Sequence, residues 1–194
     1  MGLKGDFNEV GKAWQAYPWR VKGWLILSAV IASNSIATLS DTVFRWKLFI
    51  KDGLAFYQAF VATPLQTAIA LMLPSLKVPL GVAHLLVLSV LYISVNIRIA
   101  IFALPNSQAR KIALKSTASY IGGCGGMLVA LHLSGQTLEA ESALGFFIGS
   151  ALCASVSYFR NRGAARFLWF VHLGLPFAIV GLLAAINSGL VRQQ

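Results

Sequence analysis

Long apolar stretches without a single carboxylate recur along this 194-residue chain, and its basic residues fall in the short gaps between them. Hydrocarbon offers no partner to exposed N–H and C=O groups, so an apolar segment of ~17–25 residues bathed in lipid satisfies its backbone only as a helix. With 57% hydrophobic residues, 11% charged residues and a mean hydropathy of +0.72, the chain has too little polar surface to cover a water-soluble globule. The pattern predicts an all-α, polytopic transmembrane helical bundle of five spans, or six, with amphipathic interfacial helices, organised as one integral membrane domain over residues 1–194.

The net charge of +10 fits this reading better than a nucleic-acid partner, because the cations sit beside apolar spans, where they meet lipid phosphates and set orientation. The lipid bilayer is therefore the expected partner, with no nucleic acid. Cys124 and Cys153 both lie inside apolar segments and read as small hydrophobes rather than a disulfide framework.

Residues 1–22 read as an interfacial helix: Leu3, Phe7, Val10, Trp14 and Tyr17 recur at three- and four-residue steps on one face. Trp14, Tyr17, Trp19 and Trp24, with Arg20 and Lys22 among them, form the aromatic and basic collar expected where a helix enters the bilayer. The spans are expected at residues 24–39, 79–97, 112–133, 143–159 and 166–186. The first of them could also serve as a secretory leader, with Ser35 and Ala37 as small residues before a cleavage point.

Residues 41–73 fit this scheme least well. Ser40 and Asp41 resemble an N-cap, and Val43, Trp46, Ile50, Leu54, Tyr57 and Val61 follow at helical spacing, within an arc of about 80°. This predicts a helix in the membrane plane, with Asp41, Arg45 and Asp52 as a charged stripe along one flank. Its continuation over residues 59–73 is apolar but interrupted by Pro64, so it reads as a re-entrant piece or an extra span.

Charge sets the topology. The gap after residue 97 holds Arg98, Arg110 and Lys111, and the gap before residue 166 holds Arg160 and Arg162, whereas residues 134–142 carry only Glu139 and Glu141. The first two gaps are expected on the cytoplasmic side and the third outside, which makes the chain a bacterial inner-membrane protein with its N-terminus inside if it spans five times.

Within the spans, Ala118, Gly122, Gly126 and Ala130 repeat every four residues, and Gly145 and Gly149 do so in the next span. Small residues let two helix backbones approach closely, so van der Waals contact replaces the hydrophobic force that lipid withholds. The faces serve packing within the bundle or self-association. His84 and His132 could share a depth, as a metal or haem pair would require, but each lone histidine more simply reads as an interhelical hydrogen-bonding residue. Asn34 and Asn187 read likewise as buried amides.

None of the six carboxylates lies inside an expected span, which removes the intramembrane acids that proton pumps and metal-dependent transferases use. No catalytic residue, cofactor or metal ligand is expected. The chain reads as a non-enzymatic membrane subunit that assembles through small-residue faces with itself or another membrane protein. The alternatives are a small transporter or channel and a membrane-perturbing effector.

Overall fold

A computed structural model describes residues 11–12, 14–15, 17–102, 104, 106–160 and 164–192, with backbone alone for 42, 48, 154–160, 164–172 and 189–192. Leu3, Phe7 and Val10 of the expected interfacial helix therefore lie outside the described residues, as does the side chain of His172. The architecture is all-α. Among the described residues the one β-type contact is an isolated bridge between Lys77 and Thr137.

The first long helix, α1 (Trp19–Leu39), buries Val21, Leu25, Ser28, Ala29, Ala32 and Ser35 and turns Ile26, Leu27 and Val30 outward. Its serines do not leave hydroxyls stranded, because Ser28 donates to the Trp24 carbonyl and Ser33 to the Ala29 carbonyl, each at 2.7 Å. After a short turn of helix, α2 (Asp41–Phe44), the chain enters a rod made of α3 (Leu48–Tyr57), a π-helical turn over Gln58–Ala62, and α4 (Thr63–Met72).

That rod answers the question posed by Pro64. Proline lacks an N–H and crowds the carbonyl four residues back, and the wider π turn immediately before it absorbs the mismatch without ending the helix. The expectation of a helix running unbroken from Asp41 is corrected at the other end: Arg45 adopts a left-handed conformation, φ 47°, and closes α2. Asp41, Arg45 and Asp52 therefore do not share a helical flank. Ser40 makes no N-cap bond but donates back to the Ala37 carbonyl, while the Asp41 carboxylate accepts from the Trp46 N–H.

Three more long helices follow: α5 (Leu80–Phe102), α6 (Ser107–Leu133) and α7 (Ala140–Arg160), and then α8 (Ala164–Arg192) closes the chain. All are longer than the apolar cores expected for them, because each helix continues through its polar ends. Asn106 caps α6 by accepting from the Gln108 N–H at 2.8 Å. Gly135, at φ 65°, ends it in a Schellman turn, in which Gln136 N–H reaches Leu131 and Gly135 N–H reaches His132.

Helix α5 is the centre of the bundle, packing most extensively against α7 and next against α1. Trp24 of α1 bonds Ser94 of α5, while Ser35 of α1 reaches the His84 carbonyl, so α1 and α5 run antiparallel. The start of α1 and the end of α5 thus share one end of the molecule, and the end of α1 and the start of α5 share the other. Among the described residues, three helical stretches are long and apolar enough to cross a membrane: Trp19–Leu39, Phe49–Met72 and Leu80–Phe102; shorter apolar stretches occupy Ala140–Cys153 and Leu173–Ser188.

Candidate functional site

The most concentrated polar chemistry in the apolar interior is a node of three helices near the far end of α1. The Ser35 hydroxyl and the Tyr57 hydroxyl share a short hydrogen bond, and the same Tyr57 oxygen lies 3.2 Å from His84 Nδ1. All three residues are buried, at 0%, 3% and 3% exposure. Helical register explains the meeting, because Ser35 stands one turn before the end of α1 and His84 one turn after the start of the antiparallel α5, with Tyr57 brought over both. The imidazole touches the phenol rather than the serine, so Ser35 has no imidazole base beside it. The trio forms a hydrogen-bonded clamp joining α1, α3 and α5 in a place where an unpaired hydroxyl would be costly.

Trp46, Ile50, Leu54 and Tyr57, expected as the face of an in-plane helix, lie together and buried. Trp46, Ile50 and Leu54 pack on Ala37 and Val180, and Trp46 Nε1 donates to the Ala37 carbonyl at 2.7 Å. Val43 stands apart, 74% exposed, because the left-handed Arg45 turns α2 away. Asn187 ties this region to α8, accepting from the Lys47 N–H at 3.1 Å and donating to the Phe44 carbonyl at 2.9 Å.

The two small-residue faces differ. On α7, a Cβ built on Gly149 would lie 2.7 Å from the ring of Tyr120, whose hydroxyl donates to the Phe146 carbonyl. That glycine is where α6 and α7 approach closely. Gly145, one turn earlier, has open space around it. On α6, Ala118, Gly122, Gly126 and Ala130 are all exposed, and nothing lies within 4 Å of a Cβ built on Gly122, Gly123, Gly125 or Gly126. Family models, curated proteins and solved structures contain no match to this chain.

The inward side of α6 is a different stripe. Thr117 is buried and accepts a 3.0 Å hydrogen bond from Asn96, while Cys124, Leu128 and Leu131 pack toward α5 and α7. Asn96 is 2% exposed and sits inside the α5–α6 contact. The histidines have separate partners: His84 meets Tyr57, and His132 Nδ1 accepts from the Ser75 N–H at 3.3 Å. Among the described residues no three His, Cys, Asp or Glu side chains converge as metal ligands would.

At the basic end, Trp24 donates to the Ser94 hydroxyl at 3.2 Å, Arg98 bonds the same hydroxyl and the Ser94 carbonyl, and the guanidinium lies 4.5 Å from the Trp24 ring centroid. Tyr17 packs beside this end, on Val21, Leu25 and Ile99. Its hydroxyl is buried without a partner among the described residues, and burial pushes the phenol up to about 12. Sequence spacing could not reveal the Ser35–Tyr57–His84 node, since its members are 22 and 27 residues apart and share no local pattern. The one available signal was the presence of three polar residues in apolar stretches, two of which, Ser35 and His84, stand one turn from the adjoining ends of α1 and α5.

Proposed function

We propose that the chain is a non-enzymatic membrane subunit that crosses the bilayer five times and assembles through the outward face of α6 with a second copy or another membrane protein. The observation that carries this reading is the open stripe Ala118, Gly122, Gly126 and Ala130. A helix of 27 residues is about 40 Å long and reaches across the hydrocarbon. Yet α6 is not among the helices apolar enough to cross by composition, and between exposed Ile121, Met127 and Val129 its outer side presents a strip of glycines with Ser116 and Ser119. Such a surface gains from a protein neighbour whose backbone can approach it.

The five-span count is supported by parity. If α1 and α5 both cross, their antiparallel course requires the intervening chain to return to the end it left, so the rod 48–72 does not cross once between them. Contacts on either side of the π turn support this, Leu54 with Ala37, Tyr57 with Ser35 and His84, and Gln66 with the Val78 carbonyl at 2.6 Å, all near the start of α5, while Ala62 is buried in a cluster that reaches Leu88 and Leu91. We read it as lying across that end, in the membrane plane.

The test uses Gly122→Leu and Gly126→Leu in the full chain, sized in mild detergent by mass photometry or native gel. Open space around both glycines means that neither leucine clashes inside a single copy, so a shift from oligomer to monomer reports the face alone. A wild-type chain that is already monomeric, or an oligomer untouched by both substitutions, removes the proposal. A transport path is less well supported, since the cavity between Ser28, Ala32, Leu91, Tyr92, Leu173 and Pro176 measures ≈ 10 Å³, about the room one water needs.

A further inference from the structure

Two arginines at the basic end each lie against a tryptophan. Trp24 faces α5 through its bond to Ser94, and Arg20 precedes Trp24 by four residues, so it lies on the same face of α1 one turn nearer the end. Arg98 follows Ser94 by four residues on α5 and therefore also lies one turn nearer that end. The Arg98 guanidinium is fixed 4.5 Å over Trp24 and bonded to Ser94 through Nη1 alone, while Arg20 lies 5.8 Å from the Trp19 ring, which is 77% exposed. No carboxylate pairs with either arginine among the described residues.

We propose that Arg20 and Arg98, backed by Trp19 and Trp24, bind the phosphate of an anionic phospholipid headgroup at the basic end of the α1–α5 pair. Arg98 brings Nε and Nη2 to this site, neither with a hydrogen bond among the described residues, and a phosphate oxygen pair matches that fork. Stacking on the indoles holds both cations at the depth where headgroups lie, since tryptophan itself prefers the interface. A net anionic lipid is favoured over a zwitterionic one because the latter carries its own choline cation into a site that already holds two. The proposal needs only that α1 and α5 are in a bilayer, and it is independent of how α6 assembles.

Native mass spectrometry of the full chain in mild detergent, with equal amounts of phosphatidylglycerol and phosphatidylcholine of the same acyl chains, tests it. The expected result is selective retention of phosphatidylglycerol, reduced about tenfold by Arg98→Gln and by Arg20→Gln, the scale of losing one charge-assisted hydrogen bond. Lys111→Gln, a cation at the same end on α6 and outside that pair, should leave retention unchanged. Equal losses for Lys111→Gln and the arginine variants would show diffuse charge and overturn the site; so would equal retention of the two lipids. Displacement by excess glycerol phosphate, which has the headgroup chemistry without chains, would overturn the lipid assignment in favour of a soluble phosphate. Arg20 is exposed and touches only Trp19 among the described residues, so its variant keeps the test decisive even if Arg98→Gln fails to fold.

Discussion

Replacing Tyr57 by phenylalanine isolates the polar clamp from the packing around it. The ring stays, so no cavity opens of the kind that makes an aromatic-to-alanine change cost about 3–5 kcal/mol. What goes is one oxygen with two partners, the Ser35 hydroxyl and His84 Nδ1. Interhelical hydrogen bonds in membrane proteins contribute about 0.6 kcal/mol on average and up to about 1.7. Ser35 would keep only a 3.4 Å contact with the His84 carbonyl, and Nδ1 would be left buried, so the loss should be about 1–3 kcal/mol. Thermal or denaturant unfolding in mild detergent reads it, and a cycle with Ser35→Ala separates the pair from its surroundings. Because Ser35→Ala removes the same bond, the double variant should be more stable than additivity predicts by about 0.5–1 kcal/mol. A Tyr57→Phe protein as stable as wild type, or strict additivity, would refute the clamp.

Gly149→Leu should destabilise the chain by about 1–3 kcal/mol, because its side chain meets the Tyr120 ring, whereas Gly122→Leu in a monomeric preparation should not lower the melting temperature, since exposed helix positions favour leucine over glycine by about 0.8–1 kcal/mol. Tyr17→Phe should be neutral or stabilising, in contrast to Tyr57→Phe, since the Tyr17 hydroxyl is buried without a partner among the described residues. The phenol is raised from 10.0 to about 12, so the contribution of its neutral form is complete below pH 10 and lost as pH rises through 12. The wild-type melting temperature should therefore fall faster than that of Tyr17→Phe over this window. In a chain freed of Cys124 and Cys153, Lys51→Cys, Lys77→Cys and Glu139→Cys should be labelled from one side of sealed vesicles and Lys111→Cys from the other; labelling of positions 51 and 77 from opposite sides would show that the rod crosses.

The long helices were legible because lipid leaves the backbone no alternative, and α1, α5, α6, α7 and α8 all contain the apolar cores read from sequence. The rod 48–72 was legible only in part. Trp46, Ile50, Leu54 and Tyr57 carried the right spacing, but nothing local announces that Arg45 turns left-handed or that a π turn accommodates Pro64. The node at Ser35, Tyr57 and His84 depends on three helices meeting, and such meetings follow from packing rather than from any short motif.

Helix α6 shows most clearly why a periodic stripe is ambiguous. Ala113, Thr117, Tyr120, Cys124, Leu128 and Leu131 recur at steps of three and four, as Ala118, Gly122, Gly126 and Ala130 do at four, and both patterns close on a 3.6-residue helix. Periodicity alone therefore cannot say which stripe turns inward. Packing decides it: α5 and α7 take the stripe with bulk, because Asn96 finds Thr117 and the Tyr120 ring fills the space left by Gly149. Once that stripe is used, the glycine face must look away from α5 and α7. Ile121, Met127 and Val129 are exposed beside the glycines, so the glycine strip is a shallow track between apolar side chains, where lipid gains little from bare backbone that a second helix could contact closely. If the proposed assembly holds, the two stripes have different partners, and the paired substitutions at Gly149 and Gly122 should separate folding from assembly along a single helix pair.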